Sequence, residues 1–395
     1  MILHNIQPEQ QFCLILARRN LSPELAHRAR LLVRKGLDWD GVWDSSVRHR
    51  IFPLVFRHLE RFEPGLVPPR IMRLFYILSV ANSKKSDMLA KELARIVKTF
   101  GKAGIPVVPF KGPLLGNLVW GDHRLWSGVD LDLLVRYPDM RRAYDLLHEE
   151  GYRPIYGSDD VRRPKRFFLG RGKPMTATLA KEDANITMYV DLHESLFPWS
   201  VGRRGLDEQV WEDVRPGDIF GASGFVLPRL WNVILLSLHA AKHLFVLLRW
   251  AAELHQLWDD AKTDQSMILE KSEQLGLTKT VLLSVAVCER LLGDGSEVTS
   301  SPHVDNALVT RLSRNVFRQS LSPISTALLQ LRLPGSIIGK VNRLATSLFL
   351  PTIIEKDLLP LPQPFHFLYY GIRPIRLVLK HGLGQRMVTR KTGTP

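Results

Sequence analysis

Two cysteines in 395 residues, Cys13 and Cys288, are too few and too far apart for a disulfide framework or a cysteine-based metal cluster. A reducing, cytoplasmic setting is therefore expected. Acidic residues are scarce beside basic ones: 39 Asp and Glu stand against 54 Lys and Arg, a net charge of +15. A polyanionic partner is expected from that excess, whether nucleic acid, nucleotide, acidic glycan or anionic membrane. Long hydrophobic runs without charge are also missing. The best candidate, Phe225 to Leu248, carries Arg229, His239, Lys242 and His243. Charges at that depth are costly, so a buried amphipathic helix is expected and no transmembrane span. The start, MILHNIQPEQQ, has no basic segment ahead of an apolar stretch, and no signal peptide is expected. Repeats and low-complexity tracts are absent. With 45% hydrophobic and 24% charged residues, the composition excludes a disordered tail or a collagen-like chain. The length suits about two or three domains.

The residues present divide by texture. The first hundred read as helices. Ser22 ahead of Pro23 has the form of an N-cap followed by proline at the first helical position. Arg48 to Arg61 and Pro69 to Thr99 carry apolar residues at helical spacing, and Gly101 and Gly104 supply a stop. After Gly104 the pattern mixes. Ile105 to Phe110 and Val129 to Val135 read as strands, with a helix at Gly112 to Trp120 and a polar loop between. Pro138 to Glu150 reads as a helix. Phe167 to Leu169, Met175 to Leu179 and, most clearly, Ile186 to His193 read as strands. Helical periodicity returns from Pro228 to about Leu292 and again over 302–350. Prolines at 351, 360, 362 and 364 break any long helix across 350–372.

The chemistry lies in the mixed part. Asp130 and Asp132 sit two apart in VDLDLLV, so a strand places both carboxylates on one face and Leu131 and Leu133 on the other. Two converging carboxylates repel unless a cation lies between them. Oxygen ligands of this kind suit Mg²⁺, completed by water and substrate phosphates. Asp191 in YVDLH has the same setting on another strand and is the natural third ligand of a two-metal site. An Asp-x-Asp pair can equally be the solvated face of a strand. Strands are usually poor in Asp, so three on two strands call for a reason.

These pieces, in this order, resemble the nucleotidyltransferase superfamily related to DNA polymerase β. Within it they are similar to a group of uncharacterised bacterial nucleotidyltransferases often found among polysaccharide-biosynthesis genes. The residues that carry the resemblance are Lys111-Gly112 at a helix start, Arg124 in the loop, Val129 to Val135, Gly151-Tyr152, and Val190 to His193. The block from 235 to 258, LLSLHAAKHLFVLLRWAAELHQLW, and the later LPLP…LYYGIRPIRL add to it. The resemblance implies an α+β fold: a polymerase β-like core, a small mixed sheet with helices, flanked by N- and C-terminal helical regions. The expected layout is an N-terminal helical region over 1–85, the core over 86–222, a helical domain over 223–300, and a helical C-terminal region with a basic tail over 301–395.

The resemblance further implies transfer of an NMP from an NTP, ATP being the first to expect. Asp130 and Asp132 would hold two Mg²⁺ ions, and Asp191 would be the third ligand and activate an acceptor hydroxyl. The Gly112 helix start would face the triphosphate, and Ser127 would hydrogen-bond a phosphate oxygen. The acceptor stays open: a small molecule, a glycan intermediate, a protein or a nucleic acid. Wider-superfamily members have Gly-Ser at this helix start, whereas this chain has Lys111-Gly112-Pro113. Lys111 can replace the missing grip as a phosphate cation. The departure also motivates a rival expectation: an inactive nucleotidyltransferase fold that binds nucleotide, nucleic acid or a membrane surface.

The remaining signals are weaker. His239 and His243 share a helix face at i, i+4, without a third ligand. His193 shares a strand face with Asp191 and either touches the nucleotide or satisfies a local hydrogen bond. Arg124 reaches a phosphate or is solvated. Trp120, Trp126 and Trp199 either stack on a base or pack. The run RRPKRFFLGRGK, 162–173, is the densest basic patch with aromatics. The tail from Gly371 carries six Lys and Arg and no Asp or Glu, so it can lie on an anionic membrane surface.

Overall fold

A computed structural model of the chain describes residues 6–62, 65–155, 176–183, 186–197, 206–293, 304–318, 323–335, 340, 348–349, 351, 355 and 358–382. The basic run 162–173, the strand expected at 167–169, Trp199 and the end of the basic tail lie outside the described residues. The chain divides into two compact units, residues 1–198 with 202–318, and residues 199–201 with 319–395.

The larger unit opens with α1 (Pro8–Leu16), α2 (Pro23–Arg34), α3 (Trp39–Arg48), α4 (Phe52–Leu59) and the long α5 (Pro69–Lys102). Ser22 caps α2 as its sequence demands: its hydroxyl accepts the Leu25 N–H at 3.2 Å. The helix expected over Arg48 to Arg61 is α4, which starts later, at Phe52. α3 stops at Arg48, and Arg50 adopts a left-handed conformation at φ 57° before α4 begins. Apolar spacing alone conceals that break, because it is made by an arginine and not by glycine or proline.

The mixed part is β1 (Val107–Pro109), α6 (Gly112–Trp120), β2 (Asp130–Val135), α7 (Met140–Glu149), β3 (Arg153–Pro154), β4 (Thr176–Asp183) and β5 (Ile186–His193). These strands form one five-stranded mixed sheet in the order β1-β2-β5-β4-β3. β2 runs parallel to β5, and the other neighbours pair antiparallel. The alternation in β2 and β5 explains their depth. Leu131, Leu133, Val190 and Leu192 are fully buried and pack with Leu89, Leu93, Ile96 and Phe100 of α5. That apolar layer fixes the register, since a slip of one residue would turn the aspartates into the core. The fold is α+β with a small mixed sheet, in agreement with the sequence.

Next come α8 (Leu206–Asp213), the hairpin β6 (Arg215–Ile219) and β7 (Ala222–Val226), α9 (Arg229–Lys242), α10 (Leu248–Asp260), α11 (Gln265–Gln274), α12 (Thr278–Leu292) and α13 (Asn306–Asn315). The single helix expected from Phe225 to Leu248 is corrected. Phe225 and Val226 close a hairpin, and α9 ends at a turn in which Leu244 and Phe245 both have φ 54°. The helical halves are tied together by polar contacts. The Leu248 N–H donates to His49 Nδ1 at 3.3 Å, and Arg19 forms an ion pair with Asp260 at 2.6 Å. Burial pushes His49 down to about 3, so the neutral ring is available as that acceptor.

The smaller unit contains α14 (Pro323–Arg332), a 3₁₀ turn (Gln363–Leu368) and α15 (Tyr369–Gly382). Among the described residues no helix is long and apolar enough to cross a membrane.

Candidate active site

The parallel pairing of β2 and β5 builds the site. Asp132 lies directly opposite Asp191, and Leu134 opposite His193. Neighbouring strands stand about 4.8 Å apart, so both carboxylates and the imidazole project from one patch of the sheet. One ligand atom each from Asp132, Asp191 and His193 lies within 4.8 Å of the others. Asp130, two residues before Asp132, faces the same side at the open end of β2 and is half-buried.

Asp132 is the hub. Its Oδ1 lies 3.2 Å from Lys111 Nζ and 3.1 Å from His193 Nε2. Burial alone would raise its pKa. The Lys111 ammonium and the His193 ring outweigh burial and hold the carboxyl well below the usual carboxylate range. Asp191 goes the other way. Burial raises its pKa, the nearby Asp132 charge adds to the rise, and a hydrogen bond from Thr178 only partly offsets them. Its buried Oδ1 has no hydrogen-bond partner among the described residues. A buried carboxylate oxygen without a donor, beside an ionised Asp and an imidazole, is the donor set a divalent cation completes. The residues therefore fit a metal ion, with Asp132, Asp191 and His193 able to hold it.

Lys111 follows β1 and is the N-cap of α6. Its ammonium lies 4.9 Å from the centroid of the Phe110 ring, which directs it toward Asp132. Gly112 has φ +67°, and a Cβ there would meet the Asp130 carbonyl oxygen at 3.2 Å. Only glycine lets the α6 start approach β2 so closely. Gly112→Ala is expected to cost about 1 kcal/mol or more. A thermal melt should show that as a fall of about 2–4 °C. An unchanged melting temperature would count against the close approach.

The loop between α6 and β2 is held by packing. Asn82 of α5 donates to the carbonyls of Arg124 and Trp126 at 2.8 and 2.9 Å. Trp126 is buried, and its ring lies so near Gly128 that a Cβ there would sit 2.2 Å from it. Trp120 is buried too, so both rings serve packing. Ser127 is buried, and its carbonyl accepts a hydrogen bond from Arg249. Arg124 is not brought to the aspartates: its Nε pairs with Asp87 at 3.0 Å on the exposed side of the loop. The His239 and His243 rings are tilted against each other at 4.7 Å, and Trp250 meets His239 edge-on at 4.9 Å and lies tilted to His243 at 5.1 Å. Burial pushes His239 well below its ordinary value, with Lys111 adding to the fall, and His243 goes to about 4. They are neutral rings lining the Lys111 side, and the described metal-type cluster does not include them.

Four residues that sequence patterns did not single out also converge here. Arg249 of α10 is buried, with its guanidinium 5.4 Å from the Trp126 ring centroid and its Nε 3.5 Å from Glu253 Oε1. Arg50, although exposed as a residue, has a partly desolvated guanidinium. That desolvation and the Arg249 charge lower its pKa, while Asp130 opposes them. Burial likewise lowers Lys85, with Arg50 and Arg249 adding to the fall and Asp130 opposing it. Among the described residues neither Arg50 nor Lys85 has an ion-pair partner. Glu253 is raised to about 7, mainly by burial. Three cations thus share one field beside Asp130. A lone Arg or Lys is solvated by default, so nothing in its sequence context announces it. The left-handed φ at Arg50 is a structural signal, since non-glycine residues reach it seldom.

A family model described as an uncharacterised nucleotidyltransferase matches residues 35–293. The chain belongs to this nucleotidyltransferase family. No curated protein matches the chain, and no solved structure does. The match takes in the sheet, Arg50, Lys85 and α10, and so begins well before the region where the motifs were legible. It ends before the C-terminal LYYGIRPIRL segment. Membership implies a nucleotide substrate and an activity of the nucleotidyltransferase class.

Proposed function

We propose that this nucleotidyltransferase moves an NMP from an NTP, with ATP the first to test, to an acceptor hydroxyl in a Mg²⁺-dependent reaction. The observation that carries the reading is the register of Asp132 against Asp191 beside a trio of cations. Asp130, Asp132 and Asp191 are the groups that would hold two Mg²⁺ ions. Bound there, such ions neutralise phosphate charge and align the reacting oxygens. His193 orients the Asp132 carboxylate through its 3.1 Å contact. The Gly112 turn opens the α6 N-terminus toward phosphate oxygens, and Ser127 holds the loop beside it. Arg50 and Lys85 of that trio, together with Lys111, supply positive charge along the triphosphate, while Arg124 stays with Asp87. Asp191, the carboxylate with the raised pKa, takes the proton of the attacking hydroxyl. The acceptor oxygen bonds to the α-phosphorus as the bond to pyrophosphate breaks. The acceptor can be a small molecule, a protein, a nucleic acid or a glycan intermediate, the last being the polysaccharide-linked option.

A second reading has its own observation. The Lys111 ammonium sits on Asp132, where a cation belongs, so the chain can instead be a nucleotide-binding module without turnover. The two differ in their need for divalent ions. The deciding experiment incubates the full chain with Mg²⁺, NTPs labelled at the α-phosphate, and a panel of acceptors that includes the chain itself. Label transfer lost in the Asp130→Asn/Asp132→Asn variant supports the enzyme. NTP binding that ignores both Mg²⁺ and those substitutions supports the module.

The cation trio makes its own prediction. Arg50→Ala and Lys85→Ala should each weaken NTP binding about tenfold, the scale of a charge-assisted hydrogen bond. Binding of the matching nucleoside should stay unchanged. Calorimetry with both ligands checks it, and an equal loss for nucleoside and NTP would remove the phosphate role.

A further inference from the structure

The smaller unit carries a helix with its faces reversed from the usual arrangement. On α15, Arg376 Nε donates to Glu355 Oε1 at 2.7 Å, and Arg373 Nη1 lies 3.5 Å from the same carboxylate. Glu355 is fully buried. Tyr369 is buried beside them, and its hydroxyl donates to the Leu359 carbonyl and accepts the Leu361 N–H, both at 2.8 Å. The cations and the tyrosine thus anchor the helix inward. The apolar positions face out. Ile375 is 61% exposed, and Leu379, one turn further on, is 52% exposed. The 3₁₀ turn before the helix adds Phe367 at 64%, together with Phe365 and Leu368. Water-soluble surfaces seldom gather large apolar side chains in this way without a partner.

We propose that this foot rests on an anionic lipid bilayer, with Phe365, Phe367, Leu368, Ile375 and Leu379 dipping into the interface. The charge pattern selects that occupant. From Leu358 to the end of the chain there are six Lys and Arg and not one Asp or Glu. Arg373 and Arg376 brace the helix, and Lys380, Arg386, Arg390 and Lys391 come after them in sequence. Exposed apolar residues followed in sequence by a run of cations are the combination that anionic headgroups attract, each alone giving only weak attachment. A second copy of this chain would bring the same positive charge against itself. A nucleic acid would match the charge and leave the phenylalanines in water. The attachment is interfacial, in keeping with the absence of a spanning helix among the described residues. It is independent of nucleotidyl transfer and would bring the larger unit to lipid-borne acceptors.

The test sediments the full chain with vesicles of phosphatidylcholine alone and with vesicles that also contain phosphatidylglycerol. The expected result is binding to the anionic vesicles only, weakening as salt rises. The variant Phe367→Ser/Ile375→Ser/Leu379→Ser should bind those vesicles at least tenfold more weakly while keeping the wild-type melting temperature and NTP affinity. Absence of wild-type binding at low salt overturns the proposal, and that arm needs no variant. So does a triple variant that binds like wild type. A wild-type dimer in light scattering that the triple variant splits would assign the face to a second copy. Retention on RNA without vesicle binding would assign the charge to nucleic acid.

Discussion

Asp132→Asn and Asp191→Asn are expected to change stability in opposite directions while both abolish divalent-ion binding. Asp132 accepts from Lys111 and His193, and those partners hold its pKa low despite burial. A depressed pKa is stability that exists above the unfolded value and fades as pH falls through the folded one. Losing the charge at neutral pH should cost about 1–3 kcal/mol, because Lys111 keeps its charge and loses its partner. Asp191 has a raised pKa, from burial first and from the Asp132 charge as well. Its contribution is complete below the unfolded value and is lost as pH rises through the folded one. Above its raised folded pKa the charged carboxyl, with Oδ1 partnerless, is a burden, so Asp191→Asn should there add about 1 kcal/mol to the metal-free protein. Near pH 4 that gain should vanish. Each substitution removes an oxygen ligand, and affinity for Mn²⁺, read by electron paramagnetic resonance, should drop at least about 100-fold. An Asp191→Asn protein less stable than wild type above that raised pKa, or one that still binds Mn²⁺ normally, would sink the metal reading. A residue kept for packing would lower stability when replaced, so a stabilised but metal-blind variant separates function from structure.

Much of this centre was legible because strand periodicity is local. Ile186 to His193 alternates cleanly, and the strand has those bounds. α6 likewise matches its expected range, since a glycine and a proline start it and Gly121 in the left-handed region ends it. The Asp130-Asp132 pair and Asp191 could be named because strands tolerate Asp poorly. Their register across parallel strands is a long-range fact, set by the leucines and valines beneath them. The misses have physical causes as well. The β6–β7 hairpin is built from RPGDI and ASGFV, short strands with proline and glycine that lack the β-branched signature. The α9–α10 turn uses Leu244 and Phe245 in left-handed conformations, where sequence rules look for glycine or asparagine. Asn315 Nδ2 donates to the Leu244 carbonyl at 3.4 Å across a distance of 71 residues, so the support for that turn comes from another helix. Arg50, Lys85 and Arg249 meet only because the α3–α4 turn, α5 and α10 come together. Each reads as an ordinary surface cation in its own segment.

Arg249 and Glu253 carry the second large expected effect, and it lies on stability. The pair is buried, 8% and 1% exposed, one turn apart on α10. Arg249 also donates to the Ser127 carbonyl, so it fastens the helical region to the loop ahead of β2. Removing one member of a buried pair leaves the other uncompensated, at about 3–5 kcal/mol. Arg249→Met should therefore lose that much at pH 8. Burial already raises Glu253 to about 7, with Arg249 opposing the rise. At pH 5 the carboxyl is protonated in the folded chain, the uncompensated charge is gone, and the loss should shrink to roughly 1–2 kcal/mol for the Ser127 contact and the packing. Wild type itself should lose stability as pH rises from about 4.5 to about 7, on the order of 3 kcal/mol from this group. Glu253→Gln should flatten that slope. In Arg249→Met/Glu253→Gln most of the pH 8 loss should return, because the amide needs no counter-charge. Denaturant melts of the four proteins at the two pH values measure all of this. An Arg249→Met cost that is the same at both pH values would show that Arg249 matters as a strut for the loop and not as a counter-ion. In that case the positive field beside Asp130 would owe nothing to Glu253, and the trio of cations would be balanced by bound phosphate alone.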